Sequence, residues 1–415
     1  MLKNIISTLF TKGFVAFINL AILLVSSNQL GSDVRGQVSL LILNIAIIQV
    51  INEIYTGYAL IYFIPKFSLK KIYSRGIIWS IGCTIVCALI LFGLFVWFDI
   101  GAKEHWIHLV LLSFIIILHS FHMVIILGKE KIKQYNLLNF LQPATLLLTL
   151  SITLFELKIK TADSYIIALY ASFFISISIS SVQVFSIFNN QATDKPLFDS
   201  KHILKNGFYN QLANLCHILS NRLNYYLLGN TILVGIYSSS TSLIESIWLI
   251  SGSVSPIILT YIANSSNSNH NAKVTFLLSK ICFLLSLFCV LILYFIPRDF
   301  FVFILGADFI HVKTVMLYLS PGILCISFAT IISHYFAGLG KQHILVKANG
   351  AGLLATICTS HYFVSHYQLL GACYSTIISY FITASILVIA FMKQNKLSFI
   401  DFIYLKKDFE LLKKS

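Results

Sequence analysis

The sequence predicts an all-α integral membrane protein with twelve transmembrane helices in two six-helix lobes. Three observations carry this. Hydrophobic residues make up 58% of the 415 positions and charged residues 11%, whereas a water-coated domain carries roughly 25% charged residues. The apolar stretches are continuous rather than alternating, so helices and not a closed barrel must satisfy the backbone in lipid. A mostly polar interval from Asn189 to Asn206 (NNQATDKPLFDSKHILKN) lies near the midpoint and leaves six apolar runs on either side.

Each run approaches the length of about 20 residues that a membrane helix needs. They fall over 13–30, 38–64, 77–98, 107–127, 137–155 and 164–188, then over 207–228, 232–262, 274–296, 312–337, 344–364 and 370–391. The organisation expected is an N-terminal lobe over 1–192, a cytoplasmic loop over 193–206, a C-terminal lobe over 207–392 and a cytoplasmic basic tail over 393–415. With the N-terminus placed in the cytoplasm, inner segments hold 21 lysines and arginines and outer segments 6. That alternation follows the positive-inside rule and puts both termini in the cytoplasm of a multi-pass inner-membrane protein. It also absorbs the net charge of +14, which is scattered through short loops instead of clustered as a nucleic-acid surface would be. Trp79, Trp97 and Trp106 near run ends fit the interfacial aromatic belt.

The first span begins after Lys3 and Lys12 and ends at Val25-Ser26-Ser27, much as a secretory leader does. We expect it to be retained, because its removal breaks the six-plus-six count. In the second span, Gln49, Asn52, Glu53 and Thr56 gather on one side. The third carries Cys83 and Cys87. Like the other six cysteines these lie inside apolar runs and read as small core residues, not as disulfides or metal ligands. His119 and His122 share a face of the fourth span; with no carboxylate or thiol to complete a ligand set they read as buried polar packing.

The seventh span holds the clearest polar pattern. Asn206, Asn210, Asn214, His217, Asn221 and Asn224 recur at helical spacing on one face, flanked by Gln211 and Ser220. One or two such amides would glue helices together, and so long a row suggests a water-lined path. The eighth span opens on Ser238 to Ser242, continues through Glu245, and holds Pro256. The polar faces of the two halves are expected to meet across a central cavity. Intramembrane charges are Glu53, Arg222, Glu245 and Lys280, each costing roughly 2.5–3.5 kcal/mol at the bilayer centre unless partnered or wet. Lys280 sits close enough to the start of span nine to snorkel to the cytoplasmic surface. Arg222 and Glu245 differ in depth by roughly 13 Å at about 1.5 Å per residue, so a direct bridge between them needs stretching. Arg222 is therefore the candidate free cation for an anionic substrate. Glu53 or Glu245 would bind a coupling proton or sodium ion, or neutralise a neighbouring cation. The substrate-binding candidates are Arg222, Asn210, Asn214, His217, Asn221, Asn224 and Lys280.

The halves show weak self-similarity. Gly13-Phe14 pairs with Gly207-Phe208, Leu30-Gly31 and Gly36 with Leu228-Gly229 and Gly235, and Leu127-Gly128-Lys129 with Leu339-Gly340-Lys341. Six spans separate the members, so the repeat is parallel, with a pseudo-two-fold along the membrane normal. No Walker loop, Gly-x-Ser-x-Gly or HExxH motif occurs, and no catalytic residue, metal site or cofactor is expected. Membrane glycosyltransferases and polymerases usually carry their chemistry on a large extramembrane loop, and none is expected here.

The segments LGSDVRGQVSLL, Tyr62-Phe63-Ile64-Pro65-Lys66, YFAGLGKQHILVKANGAG and HYQLLGACYSTIISY resemble bacterial Wzx polysaccharide-unit flippases. These belong to the multidrug/oligosaccharidyl-lipid/polysaccharide exporter (MOP) superfamily, and the likeness runs along nearly the whole chain. It implies a MATE-like fold, two lobes in a V around a central cavity, and alternating access. The implied substrate is an oligosaccharide repeat unit on undecaprenyl diphosphate, moved from the cytoplasmic to the periplasmic leaflet in O-antigen, lipopolysaccharide or capsule synthesis, with ion coupling by H+ or Na+ and association with the polysaccharide polymerase machinery. Drug exporters of the superfamily share the layout, yet many carry an acidic residue in span one, where this chain has none. Lipid II flippases have fourteen spans and several cavity cations. A cation-coupled multidrug exporter stands as the alternative, and a membrane polymerase or acyltransferase as the second.

Overall fold

The computed structural model describes residues 2–57, 60–61, 63–64, 67–98, 105–189, 200–264 and 268–396. Most of the polar midpoint interval, the Tyr62 and Pro65-Lys66 part of the second-span exit, and the basic tail beyond Lys396 lie outside those residues. The described chain is helical: α1 (Leu2–Thr56), α2 (Leu69–Phe98), α3 (Trp106–Gly128), α4 (Ile132–Ser151) continued by a π-helical turn (Ile152–Glu156), α5 (Ala162–Asn189), α6 (Ser200–Arg222), α7 (Asn224–Leu227), α8 (Thr231–Asn264), α9 (Ser268–Phe295), α10 (Arg298–Leu305), α11 (Val312–Gly338) and α12 (Gln342–Asn395).

Among the described residues, nine helices are long and apolar enough to cross a membrane. Two are double-length. The 47 residues of Phe10–Thr56 are interrupted at Gly31 (φ 75°), and the 54 of Gln342–Asn395 at Gln368 (φ 47°). Those breaks fall where the sequence predicts the turns between its first and last span pairs. The second span was expected to reach residue 64, but the helix stops at Thr56 and Leu60 and Ile64 lie in tight turns. Residues 200–206, expected in the midpoint loop, form the first turns of α6. α6 itself is long enough to span but too rich in amides to count as apolar.

The chain folds as two compact units. The first comprises Met1–Leu215, Gly229–Ser238 and Val302–Phe309; the second comprises Cys216–Leu228, Ser239–Phe301 and Ile310–Ser415. Two apolar cores lie in unit 1 among the described residues. One gathers Leu41, Ile48, Leu112, Leu150 and Ala168, and the other gathers Leu60, Ile64, Ile72, Phe121 and Leu138. Serines at 164, 172, 176 and 180 line one face of α5, fully buried, where small side chains let helices approach closely. In unit 2 an aromatic cluster locks α9, α11 and α12: Phe276 stacks on Phe391 at 6.2 Å and Tyr335 meets Phe391 edge-on at 4.9 Å. The outer faces are apolar, with Ile78, Ile85, Leu89, Phe174, Val182 and Phe288 exposed as lipid contact requires.

Inside unit 1, the second half of α1 crosses the start of α8 reciprocally. A Cβ on Gly36 would run into the Thr231 carbonyl, and one on Gly235 into the Ser32 carbonyl. Ser39 Oγ donates to Ser238 Oγ at 2.8 Å, and the partners stand 199 positions apart. Ser32/Thr231 and Gly36/Gly235 keep that same separation, so each helix uses on the other the surface the other uses on it, as at a two-fold contact. Asp308 accepts from Ser32 N at 3.1 Å and Ser32 Oγ at 3.2 Å, capping the helix that restarts after Gly31.

The repeat survives in the backbone with a different register from the one the motifs suggest. Lys129, Glu130 and Lys131 donate to Ile125, Leu127 and Ile126; Leu339, Gly340 and Lys341 donate to Tyr335, Ala337 and Phe336 in the same pattern. Glu130 (φ 56°) therefore corresponds to Gly340 (φ 70°), and Gly128 to Gly338. The Leu-Gly-Lys pairing is two positions off this register, because the left-handed residue that ends the helix is glycine in one half and glutamate in the other.

Candidate functional site

Glu53 sits on the second half of α1, one turn after Gln49. Its Oε1 accepts from Gln49 Nε2 at 2.9 Å and from Ser120 Oγ of α3 at 3.1 Å. Its Oε2 accepts from Gln211 Nε2 of α6 at 3.4 Å, and Asn214 Nδ2 in turn donates to Gln211 Oε1 at 3.3 Å. Two glycines bring α6 this close. A Cβ on Gly207 would meet the Ile54 carbonyl, and one on Gly57 would meet the Glu53 carbonyl and the Gln211 amide. Among the described residues the only ion pair formed is elsewhere, so Glu53 is held by neutral donors alone. The expected cluster of Gln49, Asn52, Glu53 and Thr56 divides into two rows. Asn52 and Thr56 lie about 100° and about 60° round the helix from Glu53; both are buried, and Asn52 faces α2. There Asn52 Nδ2 donates to the Ser80 carbonyl at 3.3 Å, Ser80 Oγ donates to Asn52 Oδ1 at 3.0 Å, and Trp79 Nε1 donates to the Asn52 carbonyl at 3.0 Å.

The asparagine row of α6 also divides. Asn210 and Asn214 are exposed, and the Asn206 side chain lies outside the described residues. Further along, Asn221 Nδ2 donates to His217 Nε2 at 3.2 Å, and the His217 ring meets Trp248 edge-on at 5.3 Å. Asn224 is buried and donates to the Ala372 carbonyl at 3.1 Å and to Thr376 Oγ1 at 3.0 Å. Ser220 bonds Ser379, and Thr356 Oγ1 donates to the Ser220 carbonyl. This end of the row ties α6 and α7 to α12, while Asn210 and Asn214 stay open.

Arg222 is not a free cation. Its Nη2 lies 2.5 Å from Glu245 Oε2. The two Cα atoms differ in depth, but side-chain direction closes the gap. Cα–Cβ bonds lean toward a helix's N-terminus, which for Arg222 on α6 means away from the Gly229 turn and for Glu245 on α8 means toward it. The two stems therefore converge in depth. Tyr225 lies beside the guanidinium, its ring centroid 5.4 Å from Cζ. Arg222 Nη1, Asn221 Oδ1 and Asn224 Oδ1 are buried without hydrogen-bond partners among the described residues.

Lys280 does not snorkel clear of the protein. It is 6% exposed, and its ammonium folds back over the Phe276 ring at 4.6 Å, a cation–π contact one turn toward the start of α9. His119 and His122 have different partners. His122 bridges Tyr73 Oη and Ser180 Oγ, both at 2.9 Å, while His119 packs edge-on against Phe173.

Sequence reasoning did not find Ser120, Gly57 or Tyr225. Ser120 is a small polar residue in an apolar span, with no periodicity to mark it. Gly207 was read only as a repeat marker, although its role is a close helix approach.

No family model matches the chain, and no curated protein matches it. Among solved structures it is similar to a lipid II flippase MurJ in an inward closed conformation, with TM-score 0.69 and 16% identity over 100% of this chain and 95% of that one. It is similar to an inward-facing multidrug resistance MATE family transporter of the MOP superfamily, with TM-score 0.69 and 15% identity over 91% of this chain and 94% of that one. A MOP superfamily transporter from Pyrococcus furiosus, described as having a binding pocket of reverse polarity, aligns with TM-score 0.60 and 16% identity over 95% of each chain. At such identities the likeness is one of fold, and the chain has the all-helical fold of the MATE and MOP transporters.

Proposed function

We propose that this chain is a flippase that moves undecaprenyl-diphosphate-linked oligosaccharide repeat units from the cytoplasmic to the periplasmic leaflet by alternating access, with 1–192 and 207–392 as its lobes. The observation that carries the reading is Arg222, a guanidinium deep in an otherwise apolar chain with one terminal nitrogen unpartnered, on the same helix as the open amides of Asn210 and Asn214. A diphosphate calls for a planar cation, a sugar calls for amides, and a polyprenyl tail can remain in lipid. The shared fold with a lipid II flippase supports the reading. Glu53 is the better placed of the two ion-coupling candidates, because its charge has no cationic partner among the described residues. Lysine-rich inner segments support cytoplasmic termini.

Deleting the gene should leave undecaprenyl-diphosphate repeat units facing the cytoplasm and remove the surface polysaccharide. Normal surface glycan in the deletion strain rejects the reading. The uncompensated Glu53 also suits a cationic drug, as the MATE likeness allows. That reading predicts altered sensitivity to cationic dyes with surface glycan intact.

A further inference from the structure

A pair built only to hold α6 against α8 would have its remaining polar atoms met by protein. The Arg222–Glu245 pair does not. Arg222 Nη1 is buried and idle, while 23% of the arginine side chain and 18% of the glutamate side chain stay exposed. Glu245 thus engages one terminal nitrogen of a group whose fork matches a two-oxygen anion, and it does so from a position that solvent reaches. Tyr225 supports the guanidinium from the side, so the cation keeps its place if its partner leaves.

We propose that Glu245 is an exchangeable internal counter-ion that occupies Arg222 until the diphosphate of the substrate displaces it. The substrate takes both terminal nitrogens of Arg222, and Glu245 turns to its exposed side. This rests on the reading that Arg222 meets the anion of the substrate, and it adds a specificity rule. An anion must offer at least two oxygens to the guanidinium to outcompete a carboxylate that is already seated. Glu245 is a specificity-determining residue here, and no bond to it forms or breaks.

Trp248 lies one turn beyond Glu245, with its ring against His217, and reports on this spot. Its fluorescence in the detergent-solubilised full chain is titrated with inorganic pyrophosphate, with Trp248→Phe identifying the signal and sodium chloride at equal ionic strength as the control. Glu245→Gln is expected to lower the half-maximal pyrophosphate concentration by about tenfold or more, and Arg222→Gln to abolish the response. Equal half-maximal concentrations in wild type and Glu245→Gln, with loss in Arg222→Gln, overturn the exchange and leave Arg222 as an anion site. No response in any variant, or a response in Arg222→Gln, overturns both. Glu245→Asp, which retains charge on a shorter stem, should shift the midpoint part of the way and serves where Glu245→Gln does not fold. If neither variant folds, the pair is structural and the proposal fails, whereas the deletion phenotype stands or falls on its own.

Discussion

Glu53 in unit 1 is held by two amides and a hydroxyl, whereas Glu245 in unit 2 is held by a guanidinium. Neutral donors orient a carboxylate and ease its burial without cancelling its charge. A guanidinium cancels the charge, and the cost of the pair then falls on whichever partner is left behind. The same residue type thus meets a different kind of partner in each unit. What decides the partner is the neighbouring helix.

Arg222→Ala tests the contrast most severely, since it leaves the part-buried Glu245 without its cation. We expect a loss of about 3 kcal/mol, the low end for a buried pair because solvent reaches the carboxylate, seen as a lower melting temperature in detergent and lower export. Adding Glu245→Ala should restore much of the melting temperature but not export. A single variant as stable as wild type would mean that Glu245 needs no partner.

Gly207→Leu acts on the other carboxylate. The added side chain pushes α6 off the Ile54 carbonyl and withdraws Gln211 from Glu53, for an expected loss of about 1–3 kcal/mol from overpacking. The Trp248 signal should be unchanged, because Arg222 lies further along α6 and its partner Glu245 is on α8. A changed signal would show that the two sites are not independent.

Glu53→Gln is the mildest change. It keeps the shape of the side chain and exchanges hydrogen bonds to a carboxylate for hydrogen bonds to a neutral amide, so stability should move by about 1 kcal/mol. Export should nevertheless fall, because only the charge has gone. An active Glu53→Gln protein at normal level would reduce Glu53 to packing.

Much of this fold was legible because lipid makes hydropathy and lysine placement strong signals. The breaks at Gly31 and Gln368, and the ends of α2 through α5, lie close to the expected turns. The α6 row was legible too, because spacing by threes and fours survives folding. What was not legible was the destination of each member. Asn224 is buried against α12, whereas Asn214 is exposed and reaches only Gln211 of its own helix, although the two are the same residue type on the same row. The repeat was visible as motifs, but its register was not, since Glu130 does in one half what Gly340 does in the other.

By itself the sequence determined that this chain lives in lipid as helices, that its halves repeat, and that its polar groups line particular helix faces. Those properties depend on composition and on periods of a few residues, which are local. Only the tertiary structure decided which carboxylate meets a cation. That outcome rests on the lean of Arg222 and Glu245 toward each other from opposite-running helices, and on glycines such as Gly207 that let one backbone touch the next, neither of which has a period to read.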